Sequence, residues 1–362
     1  LIEHTERTMT YPRKIPAGLI RKFQENGYWA GKTVFDFLVE TEKAYSDETA
    51  IRYKAESYTF SEFKRISTHL ASSLAKLGIE KGDVVSVQLP NCPQFMFLQV
   101  ALSMIGAIMN PLHLVFRKRD TYSMLNFCES KVLIIPESFA SRDFVEDYAD
   151  IGQGVPSIEK RILVGVPATG MPEGYIAFDD LSANYRGCDP FAPRTVADDV
   201  FYLNFTSGTE GDPKGFLHTF NTFLTNAHRD SVWSRNETLL TMSPLTHSMG
   251  HLATYYCVIR GTKIVLLDKF EPGEAIRLLK SENVTIVQGT PAHIYAILNR
   301  DTFPAADIKS VHTVMTGGAL VPKELLLRVR ASLGAGVITG YGMGETIVHT
   351  STCREDPDWA QL

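Results

Sequence analysis

NFTSGTEGDPKG, residues Asn204–Gly215, is the stretch from which the fold and the chemistry of this chain can be argued. Three hydroxyl side chains, three glycines and one lysine lie in its last ten residues. Glycine lets backbone N–H groups approach an anion closely, and successive N–H groups, hydroxyls and a lysine suit a polyphosphate. The common P-loop pattern G-x-x-x-x-G-K-[ST] would need a glycine where Pro213 stands. The stretch therefore predicts a phosphate-binding loop of another kind.

Helical and strand patterns alternate on both sides of this loop. Thr59 and Glu62 have the spacing of a capping box. Apolar residues at helical spacing then run from Phe63 to Leu77, and Gly78 follows where a helix end belongs. Further predicted helices are Pro93–Ile105, Pro272–Glu282, Pro291–Asn299 and Pro322–Leu333, and the predicted strands are Val84–Leu89, Lys131–Ile135, Arg161–Val166, Lys263–Leu267, Val284–Gln288, Val311–Met315 and Gly336–Thr339. This alternation predicts an α/β fold with largely parallel sheets covered by helices.

The length of the chain predicts two packed subdomains. Its 362 residues exceed the roughly 250–300 residues at which single cores stop growing. We place the boundary just before the phosphate loop, with a first α/β subdomain over residues 1–198 and a second over residues 199–362. Ligands of open α/β sheets bind beyond the carboxyl ends of the strands. Because the candidate motifs below follow predicted strands, we expect them to share one site.

Composition excludes several function classes. The formal net charge is -5 and no basic block occurs, which argues against a nucleic-acid partner. The longest apolar stretches, Val84–Leu89, Val132–Ile135 and Ile264–Leu267, are far shorter than a membrane span. The five cysteines are scattered without C-x-x-C spacing. This pattern argues against a disulfide framework and predicts a reducing, cytoplasmic environment.

The order T-S-G-T-x-G-x-P-K-G resembles the phosphate loop of adenylate-forming enzymes, the superfamily of acyl-CoA synthetases, aryl-acid–AMP ligases, luciferases and adenylation domains. Similarity extends over Thr59–Asn91 and Ala101–Asn126 and over motifs of the second half. The resemblance implies two packed, doubly wound α/β subdomains, as in the large N-terminal domain of these enzymes. The family's ribose-binding aspartate and its C-terminal lid with the adenylation lysine do not occur within residues 1–362. We therefore expect this sequence to represent the N-terminal domain without the lid.

By that resemblance, the glycine-rich loop closes over the β- and γ-phosphates of ATP. The residues that match the family's phosphate-binding positions are Thr206, Ser207, Gly208, Thr209, Gly211 and Lys214. Glu210 stands where many members have a second threonine. We expect its carboxylate to point away from the phosphates or to contact a metal ion.

The segment SPLTHSMG, residues Ser243–Gly250, resembles the acyl-pocket segment of the family. In acyl- and aryl-acid members, a histidine or an aromatic residue there gates the substrate carboxylate, and His247 matches it. No acidic residue lies nearby in sequence, which argues against an amino-acid substrate. A zinc site is an alternative, because His247 and His251 are four residues apart, but Ser248 replaces the glutamate of H-E-x-x-H and no third ligand follows. The resemblance assigns His247, Ser248 and Met249 to the acid pocket.

TGGA, residues Thr316–Ala319, follows a predicted buried strand and resembles the segment whose flat backbone packs beside adenine. Gly318 and Ala319 are thereby assigned to the nucleotide. Glycine suits this approach, because no Cβ separates the backbone from a planar base. The further residues assigned to the wall of the acid pocket are Thr316, Gly317, Gln288, Gly289, Thr290, Pro291 and Met343.

GYGMGE, residues Gly340–Glu345, resembles the family's Y-G-x-T-E motif. It assigns Tyr341 and Gly342 to adenine and Glu345 to Mg²⁺, which prefers oxygen ligands. Gly344 replaces the usual threonine, whose hydroxyl contacts the α-phosphate. A hydrogen bond to a charged group contributes about 1.5–3 kcal/mol, so its absence should weaken binding without abolishing it.

The function implied by the resemblance is that of an AMP-forming acid–thiol ligase that uses ATP and Mg²⁺. A small carboxylic acid would be activated as an acyl-adenylate, and the acyl group would pass to a thiol, for which we expect coenzyme A. The residues expected to serve catalysis are Lys214, His247 and Glu345. The sequence is compatible with a homodimer.

Two alternatives stay open. One is an aryl-acid–AMP ligase for 2,3-dihydroxybenzoate or a similar acid, which loads a carrier protein. ENGYW at Glu25–Trp29 and the small residue Gly344 favour it, whereas Ser248 disfavours it, because those ligases tend to carry an asparagine beside the histidine. The other is a non-catalytic module that binds ATP or an acyl-adenylate.

Overall fold

The computed structural model describes residues 15–165, 170–183, 191–206, 214–229, 236–300, 303–304, 307–353 and 356. Its α-helices are α1 (Ala17–Glu25), α2 (Val34–Tyr45), α3 (Phe60–Lys76), α4 (Pro93–Ile105), α5 (Lys118–Phe127), α6 (Phe144–Asp147), α7 (Ile151–Gly154), α8 (Phe178–Ser182), α9 (Phe220–Arg229), α10 (Ser248–Arg260), α11 (Pro272–Ser281), α12 (Pro291–Leu298) and α13 (Lys323–Leu333). Within these ranges, no helix combines the length and the apolar composition needed to cross a bilayer.

The strands follow the same alternation. They are β1 (Thr49–Tyr53), β2 (Glu56–Thr59), β3 (Val84–Val87), β4 (Ile108–Pro111), β5 (Val132–Pro136), β6 (Ser138–Phe139), β7 (Arg142–Asp143), β8 (Lys160–Val164), β9 (Tyr175–Ala177), β10 (Val200–Thr206), β11 (Lys214–Thr219), β12 (Thr238–Thr241), β13 (Lys263–Leu266), β14 (Ile286–Gly289), β15 (Thr313–Gly317), β16 (Gly336–Tyr341) and β17 (Thr350–Ser351).

The chain divides into two compact units, each assembled from segments that are not adjacent in sequence. Unit 1 falls within Leu1–Phe35, Arg65–Pro90 and Phe97–Thr222. Unit 2 falls within Asp36–Lys64, Asn91–Met96 and Phe223–Leu362. These units differ from the continuous segments 1–198 and 199–362, because β10 and β11 join the sheet of unit 1 and β1 and β2 join the sheet of unit 2.

Seven of the nine described strands of unit 1 form a sheet in the order β11-β10-β4-β3-β5-β8-β9, and β6 and β7 form a separate two-stranded sheet. Pairing is parallel from β10 to β9, and β11 is antiparallel to β10. The strands β3, β4 and β5 are buried along their whole length, as expected of parallel strands covered on both faces. The chain places β4 on one side of β3 and β5 on the other. This order is the doubly wound arrangement that the resemblance implies.

The described strands of unit 2 form an eight-stranded sheet in the order β17-β16-β15-β14-β12-β13-β1-β2. Pairing is parallel from β16 to β1, and both edge strands are antiparallel to their neighbours. Helices α11, α12 and α13 share a core with the central strands. The buried side chains of that core include Leu240, Val287, Val314, Val337, Leu279, Ile297 and Leu326.

Local signals in the sequence are confirmed at several helix starts. At α3, the N–H of Glu62 donates to Thr59 Oγ1 at 3.1 Å and the N–H of Thr59 donates to Glu62 Oε2 at 3.0 Å. This is the reciprocal capping box. Pro272 and Pro291 begin α11 and α12, where a missing N–H costs nothing. Pro322 is instead the N-cap of α13, which begins one residue later than predicted.

The sequence-based prediction misses several strands, and two of them are β1 and β11. Patterning does not reveal β1, which pairs in parallel with β13 and places Ile51 opposite Ile264. It also misses β11, which returns antiparallel to β10 after the phosphate loop. The pairing of β1 depends on a partner more than 200 residues away, which a local pattern cannot identify.

The junction between β12 and α10 depends on a glycine. A Cβ added to Gly250 would overlap the carbonyl oxygen of Pro244 and lie 2.8 Å from that of Ser243. The first turn of α10 therefore packs directly on the backbone of the turn that precedes it.

We predict that Gly250→Ala destabilises the protein by about 2 kcal/mol, because backbone atoms cannot move aside as a flexible side chain can. The matched control is Gly18→Ala in α1, where an added Cβ meets nothing within 4 Å. Alanine is the better helix former there, so that variant should be as stable as the parent or slightly more so. Thermal unfolding of the two variants measures the difference, and equal midpoints would contradict the prediction.

Candidate active site

Four neighbouring strands of unit 2 carry, at their carboxyl ends, the predicted motifs other than the phosphate loop. In the parallel register, Thr241 of β12 lies opposite Gln288 of β14, and Gly289 lies opposite Thr316 of β15. Gly317 lies opposite Gly340 of β16. The segments that follow these strands therefore begin at one edge of the sheet, which is where ligands of open α/β sheets bind.

His247 is the N-cap residue of α10. The N–H of Met249 donates to His247 Nδ1 at 3.2 Å. Because a backbone N–H can only donate, Nδ1 must accept, so the neutral ring carries its proton on Nε2. His247 is an exposed residue, and partial desolvation lowers the pKa of its ring below the ordinary value. The side chain is therefore set up as a neutral hydrogen-bond donor at the start of a helix.

His251, four residues further on, has a different environment. Its ring is fully buried, with Nδ1 3.1 Å from the carbonyl oxygen of Leu245 and Nε2 3.0 Å from the hydroxyl of Tyr255. Burial lowers the pKa of His251 to about 3. Both ring nitrogens are engaged by protein atoms, so His251 braces the turn before α10. In the part of the chain that the structure describes, no group of three or more histidine, cysteine, aspartate or glutamate side chains is arranged to hold a metal ion.

Gln288, assigned from sequence to the pocket wall, is a buried brace between elements. Its Nε2 donates to the carbonyl oxygen of Met249 at 3.1 Å, and its Oε1 accepts from Thr241 Oγ1 at 2.8 Å. It therefore ties the start of α10 to β12 and β14. Thr290 is the N-cap of α12, and its N–H donates to Nδ1 of His293 at 3.3 Å. Sequence reasoning did not single out His293, because glutamate or glutamine is the usual partner in a capping box.

Two glycines with different constraints lie at and just after the end of β15. A Cβ on Gly317 would overlap the carbonyl oxygen of Gly340 and lie 3.2 Å from Met249 Cε, so only glycine fits between these groups. Gly318 has φ of 75°, in the left-handed region, and a Cβ there would meet nothing within 4 Å. Thr316 is 3% exposed, and its Oγ1 has no hydrogen-bond partner among the described residues. A buried hydroxyl without a partner is costly, and a bound ligand is one way to satisfy it.

The end of β16 and the turn that follows it present Tyr341 and Glu345 to solvent. Tyr341 is 60% exposed, and its ring lies edge-on to His349 at 6.2 Å between centroids. The turn closes with the N–H of Ile347 donating to the carbonyl oxygen of Met343 at 2.7 Å. Glu345 lies inside that turn with an exposed side chain. An exposed aromatic face and an exposed carboxylate suit a planar base and a divalent cation.

The two described residues that flank the phosphate loop, Thr206 and Lys214, belong to unit 1. Thr206 and Lys214 lie opposite each other at the ends of β10 and β11, and Lys214 is exposed. The positions Ser207, Gly208, Thr209 and Gly211 lie outside the described residues. The final glycine of the motif, Gly215, has a packing role: a Cβ there would lie 3.3 Å from the ring of Phe127.

The sequence matches the family of AMP-binding enzymes over residues 38–362. The chain belongs to this family. Among curated relatives, it is 27% identical to the medium-chain fatty-acid–CoA ligase of Escherichia coli (strain K12), over 92% of this chain and 59% of that protein. It is 31% identical to the 2-methylpropanoate–CoA ligase CCL4 of Humulus lupulus, over 91% of this chain and 60% of that one. The 2,3-dihydroxybenzoate-AMP ligase of Bacillus subtilis (strain 168) is 28% identical, over 95% and 63%.

Solved structures share the fold. The TM-score is 0.83 with apo MbtA of Mycobacterium smegmatis, at 20% identity over 96% of this chain and 63% of that chain. It is 0.81 with the anthranilate CoA ligase AuaEII in complex with anthranoyl-AMP, at 20% identity over 90% and 63%. These similarities confirm the fold that the resemblance implies. The chain spans 59–63% of the length of the three curated relatives named above.

The buried imidazole of His251 predicts a pH dependence of stability. Its pKa is near 6.5 in an unfolded chain and about 3 in the fold. Between these values the unfolded chain binds more protons, so the free energy of unfolding falls as the pH is lowered from 6.5 towards 3. The slope from this residue is at most about 1.4 kcal/mol per pH unit.

When the pH is lowered from about 6 to about 4, we expect the free energy of unfolding of His251→Gln to fall less than that of the parent. The reason is that an amide does not titrate in this range. Urea unfolding at several pH values measures both slopes. The control is His349→Gln, which replaces an exposed ring and should leave the slope unchanged. If the free energy of unfolding depended on pH equally in the parent and in His251→Gln, the buried imidazole of His251 would not be the source of the pH dependence.

Proposed function

We propose that the protein activates a carboxylic acid with ATP as an acyl-adenylate and transfers the acyl group to a thiol, for which we favour coenzyme A. Membership of the AMP-binding enzyme family supports the adenylation step. The named acyl-CoA ligases among the relatives support the thiol acceptor. Because the chain covers less than two thirds of these relatives, the activity is proposed for the protein that contains these residues.

The observation that carries the proposal is the convergence of unlike chemical groups at one edge of the unit 2 sheet. The ends of β12, β14, β15 and β16 combine a neutral histidine donor, a glycine cradle, an exposed aromatic ring and an exposed carboxylate. An acid, a planar base and a cation each have a matching partner in that set. An ordinary α/β domain has no need of this combination.

The acid and the nucleotide base are assigned to unit 2. We assign His247 to the substrate carboxylate, which would accept a hydrogen bond from Nε2–H. Met249, Thr316 and Gly317 would border the acid, together with Ser248, Thr290 and Met343. Gly318, Ala319, Tyr341 and Gly342 would hold adenine against the end of the sheet.

The phosphates are assigned to Lys214 and the loop that it ends. Lys214 would neutralise charge on the β- and γ-phosphates. The hydroxyls of Thr206, Ser207 and Thr209 and the N–H groups of Gly208 and Gly211 would orient them by donating hydrogen bonds. Mg²⁺, when bound, would neutralise charge on the phosphates, and Glu345 is the oxygen ligand that we assign to it.

The reaction needs no protein nucleophile. An oxygen of the substrate carboxylate attacks the α-phosphorus, the bond between that phosphorus and the bridging oxygen to the β-phosphate breaks, and pyrophosphate leaves. A thiolate then attacks the acyl carbon and AMP leaves. The protein contributes by aligning the reactants and by placing positive charge where negative charge develops.

A second candidate is an aryl-acid–AMP ligase that loads a carrier protein. It is supported by the similarity to the 2,3-dihydroxybenzoate-AMP ligase. Ser248 beside His247 weighs against it, as argued from the sequence. For either activity we propose a cytoplasmic protein, because Cys92, Cys128, Cys257 and Cys353 are free thiols.

ATP–pyrophosphate exchange on the full-length protein, with a panel of aliphatic, alicyclic and aromatic acids, tests the proposal. We expect exchange that depends on one class of acid and on Mg²⁺, because pyrophosphate can be incorporated only if adenylation is reversible. Product analysis with coenzyme A then separates the two candidates, since an aryl-acid–AMP ligase would require a carrier protein. ATP binding without exchange for any acid would favour a non-catalytic nucleotide-binding module.

The variant Glu345→Gln should lower the exchange rate at least about tenfold, equivalent to about 1.4 kcal/mol of transition-state stabilisation. The amide keeps the size of the side chain but removes the charge that we assign to the metal. Glu324→Gln is the matched control, because Glu324 is an exposed glutamate in the first turn of α13. Equal exchange by the parent and Glu345→Gln would remove Glu345 from the metal site.

A further inference from the structure

Asn91 belongs to unit 2, although it directly follows a segment of unit 1. Its side chain is 6% exposed. The amide Nδ2 donates to the carbonyl oxygen of Ser243 at 3.0 Å, and Oδ1 accepts from the N–H of Leu245 at 2.7 Å. One side chain thus clamps two backbone groups of the turn between β12 and α10, across about 150 residues of sequence.

The clamp acts on the turn that ends at His247. On the other side of the same turn, the carbonyl oxygen of Leu245 lies 3.1 Å from His251 Nδ1. The N–H of His247 donates to the carbonyl oxygen of Pro244 at 2.9 Å. Leu245 is therefore held through both its N–H and its carbonyl group, and His247 follows two residues later.

An amide is the side chain that this clamp requires. The two backbone groups demand one donor and one acceptor at the same time, in a buried place where an unpaired N–H or carbonyl is costly. An ionised aspartate could accept from Leu245 but would set its charge against the carbonyl oxygen of Ser243. A serine hydroxyl is too short to reach both groups.

We propose that Asn91 is a positioning residue for the acid substrate: by fixing the turn 243–245, it holds His247 in the orientation that binds the carboxylate. This inference rests on the proposed function, in which His247 contacts the acid. Asn91 itself touches neither acid nor nucleotide in this scheme. Substitution of Asn91 should therefore weaken binding of the acid and change the environment of the His247 ring, and it should leave binding of ATP unchanged.

The test uses two variants in the full-length protein. Asn91→Leu removes both hydrogen bonds at similar volume, and Asn91→Ser is a milder change in case the first does not fold. The matched control is Asn110→Leu, since Asn110 is a fully buried asparagine of β4 in unit 1, where its amide donates to Ser86 Oγ at 2.9 Å. It measures the cost of losing a buried amide away from the turn.

The kinetic readout is the pair of Michaelis constants in pyrophosphate exchange. We expect both Asn91 variants to raise the KM for the acid by about tenfold or more and to change the KM for ATP by less than about twofold. Asn110→Leu should change neither constant. A fall in both substrates' affinities, or an acid KM equal to that of the parent, would overturn the proposal.

The second readout does not depend on activity. In the parent, ¹⁵N chemical shifts of the His247 ring should report one tautomer, with Nδ1 unprotonated and accepting from Met249, and His247→Gln assigns the signals. In the Asn91 variants we expect these shifts to move towards the average of the two tautomers. Unchanged ring shifts in a folded Asn91 variant would overturn the proposal, even if no acid supported exchange and the proposed function had failed.

Discussion

Parallel pairing of β12, β14, β15 and β16 is the constraint on which the candidate site depends. It aligns the carboxyl ends of strands that begin at Thr238, Ile286, Thr313 and Gly336. Segments far apart in sequence thereby start at one edge of a buried sheet. A shift of one residue in any pairing would turn the side chains of that strand to the opposite face. The register therefore decides which groups meet before any ligand is present.

Buried polar side chains then give the edge its detailed shape. The side-chain amides of Gln288 and Asn91 hydrogen-bond to backbone or hydroxyl groups around the β12–α10 junction. Such groups cost free energy when they are buried without partners, so the geometry that satisfies them is strongly preferred. Glycines contribute in the opposite way, since Gly250 and Gly317 permit backbone contacts that any Cβ would prevent. Close packing and satisfied amides together leave this turn few alternative conformations.

Much of this could be predicted from sequence where the signal is local. The capping box at Thr59 and the proline at the start of α11 each concern neighbouring residues, and both are found in the structure. β1 is different, because its five residues acquire their place only by pairing with β13, more than 200 residues away. The braces formed by Asn91 and Gln288 are missed for the same reason: an asparagine or glutamine in a sequence does not show which distant backbone it will meet. The sequence motifs predicted which edge of the sheet carries the candidate site. The long-range hydrogen bonds that stabilise this edge could not be predicted from them.

The helix cap formed by His247 requires the ring to be neutral. Its Nδ1 can accept from Met249 only in the unprotonated form, so the cap of α10 and a charged ring exclude each other. Desolvation lowers the pKa of the ring, and a cation is also disfavoured at the positive end of a helix dipole. The same ring then offers Nε2–H as a donor, and the helix terminus beside it favours an anion over a cation. A carboxylate suits both the Nε2–H donor and the helix terminus. A substrate ammonium group would instead meet a hydrogen-bond donor and the positive end of the helix dipole. If His247 contacts the acid as proposed, the cap that starts α10 would favour acids that lack a nearby positive charge.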